Sequence, residues 1–102
     1  MATRKDRMAL LSRYATLHTL KYGSKPDHNL NREQWAADML IESYGLPQCY
    51  DILAYYFDVA NTPSWKYYSN YAEEIVKSKE RIEEDLKERA ERRRLAREWL
   101  NG

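Results

Sequence analysis

A chain of 102 residues holds one small domain, which buries only about 60–70% of the surface its unfolded form exposes. Three glycines and three prolines leave too little turn chemistry for a β-sandwich, which needs a turn every ~8–12 residues, and 13% aromatic content excludes a disordered tail. The net charge of +1 hides a division: residues 1–30 carry six Lys/Arg against two acids, residues 31–76 two against seven, and residues 77–102 nine against seven.

Thr3 followed three residues later by Asp6 is a capping-box pattern. From there Met8, Leu11, Ala15 and Leu10, Tyr14, Leu17 recur at helical spacing as far as Gly23, which predicts a first helix. Met1–Arg7 leads into no signal-peptide apolar region, and no apolar run approaches the ~20 residues that span a bilayer, so a cytoplasmic chain is expected. Gly23 to Asn29, with Pro26, is a loop.

A second helix is expected over Arg32–Tyr44. Asn31 is its expected N-cap, Gln34 reaches back, and Leu30 with Trp35 takes the positions of a hydrophobic staple. Gly45 then supplies the left-handed residue that ends a helix, with Leu46 packing back on Ile41 as in a Schellman motif. Pro47 opens a third helix, where only Gln48, Asp51 and Asp58 are polar before Ala60. Apolar nearly all round, it should be the centre of the core, with Asp51 and Asp58 on its one solvated stripe.

Thr62 as N-cap and Pro63 at the first position predict a fourth helix that meets no breaker before Gly102, about 55 Å long at ~1.5 Å per residue. Trp65, Tyr68, Tyr71, Ala72, Ile75 and Val76 form a stripe that closes the core. Beyond Lys77 the apolar residues thin to Ile82, Leu86 and Ala90. The remainder pairs opposite charges four apart, as in Glu83 with Lys87, Asp85 with Arg89 and Glu88 with Arg92. The expected architecture is therefore all-α: a small bundle of three short helices plus one long C-terminal helix projecting from it. Residues 1–76 form the core domain and 77–102 a charged extension. Leu11, Trp35, Leu40, Ile52, Leu53, Tyr56, Tyr68 and Ile75 share the inward stripes and are expected to be buried.

Chemistry-bearing patterns are sparse. His18 and His28 lack the spacing to a Cys, Asp or second His that a zinc site needs, and Cys49 lies among apolar neighbours where a small buried thiol is expected. No phosphate-cradling glycine loop, nucleophile with a base partner, or enclosed carboxylate pair is visible, so neither catalysis nor a cofactor is expected.

Binding surfaces are better represented. Exposed aromatics around Tyr67 and Tyr71, beside Lys66 and Asn70, suit stacking on unpaired bases. The same tyrosines equally suit a core with rings inside and hydroxyls at the surface, or a protein interface. Arg4, Lys5, Arg7 and Arg13 at one end, and Arg92, Arg93, Arg94 and Arg97 at the other, are candidates for phosphate contact. Leu95, Trp99 and Leu100 would be exposed on an isolated helix and mark a protein docking point. A homodimer through Ile75, Ile82 and Leu86 is a further candidate, although Lys79 and Arg89 interrupt that heptad line and argue against a long coiled coil.

Over Ile41–Ile75 the element order resembles the DnaD-like domain of phage and bacterial helicase loaders and replisome organisers. The matching parts are Ser43-Tyr44-Gly45, the helix Asp51–Ala60, the polar break Asn61-Thr62-Pro63, and the aromatic start Trp65-Lys66-Tyr67. The family's Tyr-x-x-x-Ile-x-x-x-Trp signature falls on Tyr67, Tyr71 and Ile75, agreeing at the first. The resemblance implies a phage-type replication accessory that binds single-stranded DNA and a helicase. Two functions follow as expectations: a small accessory protein joining nucleic acid to a replication or transcription protein, or an adaptor or inhibitor that binds protein through its long helix alone.

Overall fold

A computed structural model of the chain describes residues 2–26 and 30–101, with the side chains of 30–32 left aside. His28, and the part of the expected loop from 27 to 29, lie outside the described residues. The fold is all-α, with five helices among the described residues: α1 (Arg4–Tyr22), α2 (Leu30–Tyr44), α3 (Leu46–Val59), α4 (Trp65–Asn70) and α5 (Ala72–Asn101).

Helix α1 starts where Thr3 accepts the Asp6 amide and ends on Gly23, whose φ of 79° is the left-handed conformation that glycine adopts without strain. The chain start is tied to α2, since the Ala2 amide donates to Asp38 (2.9 Å) and the Arg7 guanidinium lies 3.7 Å from the same carboxylate. Helix α2 already includes Leu30, so Asn31 is inside the helix and is not its cap. The Trp35 indole, expected in a staple and in the core, is instead 72% exposed. Among the described side chains of α2, those buried are Ala37, Leu40 and Ile41. At 100° per residue Trp35 lies on the opposite side of the helix from Ala37, and the period overrides the side chain's hydrophobicity.

Gly45 joins α2 to α3 by itself. Its amide donates to Ile41 (2.7 Å) and its carbonyl accepts from Cys49 (3.0 Å), so it closes one helix and opens the next. With φ 80° and ψ 151° it is not the left-handed residue of a Schellman motif but a corner that only glycine takes readily. Helix α3 touches α1, α2 and α5 and buries Cys49, Ile52, Leu53, Tyr56 and Phe57, which makes it the centre of the core. Asp51 and Asp58 are exposed, on its solvated side.

The expected fourth helix is two helices. Ser64, not Thr62, is the cap of α4, its hydroxyl accepting from Tyr67, and Pro63 precedes the cap as a buried residue. Tyr71, at φ −122° and ψ 26°, separates α4 from α5 and is half exposed rather than part of the core stripe. Neither glycine nor proline marks this break. The local signal is the pair of weak helix formers Ser69 and Asn70 just before it. Trp65 and Tyr68 on α4, then Ala72 and Ile75 on α5, close the core. Burial ends at Lys79, and every residue from Glu80 to Asn101 is exposed. The projecting helix gives the molecule extents of 62 × 32 × 19 Å.

Candidate functional site

Two surfaces hold the residues singled out above, one at the α3–α4 corner and one along α5. At the corner, tyrosine hydroxyls satisfy the backbone of the connection between the helices. Tyr56 accepts the Ser64 amide at 3.0 Å, Tyr14 accepts the Trp65 amide at 2.9 Å, and Tyr22 donates to the Pro63 carbonyl at 2.9 Å. Tyr68 donates to the Cys49 carbonyl at 3.0 Å. Tyrosine is the right residue here because a buried ring carries one polar group that reaches an otherwise unmet amide or carbonyl. Burial raises the Tyr14 and Tyr68 hydroxyls above the usual phenol range and pushes the Cys49 thiol up to about 11. All three stay protonated and unreactive at neutral pH.

Tyr67 and Tyr71 are the two rings of the cluster left about half exposed, at 46% and 51%. Tyr67 is stacked on buried Tyr56 (5.5 Å between centroids, 12° between planes) and has Tyr71 4.8 Å away on an inclined plane. A base would therefore find Tyr67 already flanked by two rings. Lys66 and Asn70 are exposed on the adjoining line of α4, within the segment of the chain that carries two basic residues against seven acids. Beside Tyr67 runs an open groove of ≈ 440 Å³, lined by Tyr55, Tyr56, Val59, Ile75 and Ser78 among others, in which the Tyr55 and Ser78 hydroxyls are hydrogen-bonded at 2.8 Å.

Along α5 the charges pair within the helix: Glu73 with Lys77 (3.4 Å), Lys79 with Glu83 (2.6 Å), Asp85 with Arg89 (3.2 Å) and Glu88 with Arg92 (4.0 Å). Glu83 thus turns back to Lys79 rather than forward to Lys87, and that bond raises the Lys79 ammonium and lowers the Glu83 carboxyl from their ordinary values. Arg94 lies against Glu91 and 3.9 Å from Glu98. Arg92, Arg93, Arg94 and Arg97 are all exposed, as are Leu95, Trp99 and Leu100. The last three do not share one face. Leu95 and Trp99 are four apart on one side, while Leu100 falls on the line of Ile82 and Leu86.

These arginines are not brought to the α4 rim: the twenty residues from Ala72 to Arg92 in one helix separate them by about 30 Å. The basic residues of α1 divide, since Arg7 engages Asp38 and Arg13 lies 4.3 Å over the Tyr50 ring, both in structural contacts. Sequence reasoning missed a third surface, the exposed pair Trp35 and Met39 beside a ≈ 400 Å³ depression shared with Ser43, Asn70 and Glu73. Its signal was present, because those two residues are four apart and opposite Ala37. No group of three or more His, Cys, Asp or Glu among the described residues is arranged to hold a metal, and no described helix is long and apolar enough to cross a membrane. The chain matches no protein-family model, no curated protein and no solved structure.

Proposed function

We propose that this chain is a non-enzymatic adaptor that binds protein through α5. The observation that carries this reading is the exposed helix from Glu80 to Asn101, kept helical by its own ion pairs, with Trp99 83% exposed near its tip. A large aromatic ring held in water on a rigid rod is the kind of group that anchors an interface once a partner desolvates it. The arginines next to it add specificity and encounter rate. The test compares the full chain, a truncation after Lys77 and Trp99→Ala in pull-down and sedimentation. Loss of the same contact in both variants, with the core still folded, supports the reading. Unchanged partners and mass in all three would move the binding surface to the aromatic corner.

A second reading is favoured by one specific observation: residues 89–101 carry five arginines against Glu91 and Glu98. That cluster suits a polyanion, and with the DnaD-like resemblance it gives a phage-type accessory in the host cytoplasm that joins single-stranded DNA to a replication or transcription protein. The α4 rim of Lys66, Tyr67, Asn70 and Tyr71 supports this reading less, given its acidic setting and the flanked Tyr67 ring. A single-stranded oligonucleotide separates the two. A shift that weakens steeply with salt, and is lost when Arg92, Arg93, Arg94 and Arg97 become Gln, selects the second, because phosphate contacts release counterions. No shift at low salt selects the first.

A further inference from the structure

The seam of α5 has a composition that excludes one way of pairing and suits another. Steps of three and four from Ile75 lead along one face through Lys79, which is paired with Glu83, to Ile82, Leu86, Arg89, Arg93, Ala96 and Leu100. In a parallel pair of copies, Arg89 and Arg93 would each meet themselves in neighbouring layers, and Arg92 would flank Arg97 of the second copy. Turning one copy round removes the Arg93 and Arg92–Arg97 encounters and leaves the two Arg89 side chains in neighbouring central layers, each beside its own Asp85.

The charge along the extension is ordered in the same sense. Residues 80–88 carry five acids against Arg81 and Lys87, a net −3, and residues 89–101 carry five arginines against two acids, a net +3. The sign changes between Glu88 and Arg89, one residue from the midpoint between Ile75 and Leu100. Helix-dipole preference alone would confine the basic residues to the last turn, whereas Arg89 stands about three turns from the end.

We propose that two copies of this chain pair antiparallel through α5, with the tip of each seated at the groove beside the root of the other. This rests on α5 being a protein-binding element and adds who the partner is. Overlap about the midpoint sets the Arg89 and Arg93 stems of one copy along Ile82 and Leu86 of the other, and sets Arg92 beside the second copy's Asp85. Arginine suits that position, since its stem covers apolar surface while its guanidinium reaches a carboxylate. The same overlap carries Leu100 about 37 Å back to the level of Ile75, and Trp99 to the level of Val76, about 3 Å from that of Ser78. Ile75 and Ser78 line the groove with Tyr55 and Val59, so the exposed Trp99 and Leu100 meet a concavity of mixed apolar and polar walls, Asn61 and Thr62 among them, at the other end of the helix.

Sedimentation equilibrium of the full chain should show a dimer that weakens as salt rises, because its charge pairs are screened. Asp85→Arg and Arg92→Asp, both on the exposed part of α5 away from the core, should each weaken it about tenfold, and the two together should recover most of that loss. Orientation is read with a short thiol cross-linker, to which buried Cys49 is silent. Leu100→Cys mixed with Ser78→Cys should cross-link, while Leu100→Cys alone should not, its two tips standing about 37 Å apart. Cross-linking of Leu100→Cys to itself, or charge variants that do not compensate, overturns the antiparallel pair. A monomer at every concentration, in a chain whose α5 truncation still loses a protein partner, overturns this inference and leaves the adaptor reading standing.

Discussion

Tyr56 works through its two ends. Its ring is buried against Tyr67, Tyr68 and Phe57, and its hydroxyl accepts the Ser64 amide at the turn into α4. Tyr56→Phe keeps the packing and removes the acceptor, so it should cost about 0.5–1.5 kcal/mol in urea unfolding, with local loosening at Ser64. Leu53, fully buried on the central helix, has no polar role. Leu53→Ala should cost ~2–5 kcal/mol through the cavity it leaves, and a loss under about half a kcal/mol would mean the site collapses around the smaller side chain. Cys49 gives a pH dependence. Its thiol is held up at about 11 in the fold against an ordinary 9.0, so the folded state keeps its proton more tightly than the unfolded one. That contribution is complete below the ordinary value and is lost as pH rises through the window between the two. Tyr68, raised by the same burial, acts in the same direction. Melting temperature should fall through that alkaline window, and Cys49→Ala should flatten the fall.

At the scale of elements, the first turn of α4 depends on one hydroxyl. Ser64→Ala leaves the Tyr67 amide without its side-chain acceptor and should cost about 1 kcal/mol, read as a lower urea midpoint. The sequence-based N-cap two residues earlier, at Thr62, followed from giving Pro63 the first helical position. In the fold Pro63 is buried and its carbonyl is held by Tyr22, a contact across 41 residues that no local pattern contains. What was legible was periodic: the inward lines of α1 and α3, and the cap at Thr3, follow from spacing and local hydrogen bonding. Trp35 departs from the expectation because its angle to Ala37, Leu40 and Ile41, rather than its size, decides its exposure. The break at Tyr71 has no sharp sequence signal, because Ser69 and Asn70 weaken a helix without forbidding one. Among the candidate site residues, exposure of the α5 tip followed from the thin stripe of Ile82, Leu86 and Ala90. The flanking of Tyr67 by Tyr56 and Tyr71 did not, since it depends on how α4 lies across α3.

At the scale of the molecule, the core and the extension of α5 are mechanically separate beyond Lys79. Truncation after Lys77 should therefore leave the thermal transition of the core nearly in place while the helical circular dichroism drops with the missing turns, and a core that unfolds would show that the rod supports it. The molecule's proportions of 62 × 32 × 19 Å have a hydrodynamic consequence. A body twice as long as it is wide meets more friction than a sphere of equal mass, so gel filtration will overstate the mass of a monomer and can mimic a dimer. Its tumbling is anisotropic as well. The amide N–H vectors of α5 lie close to the long axis, which reorients slowest, so their transverse nuclear relaxation should be faster than that of rigid amides pointing across it. The truncated chain should lose that difference.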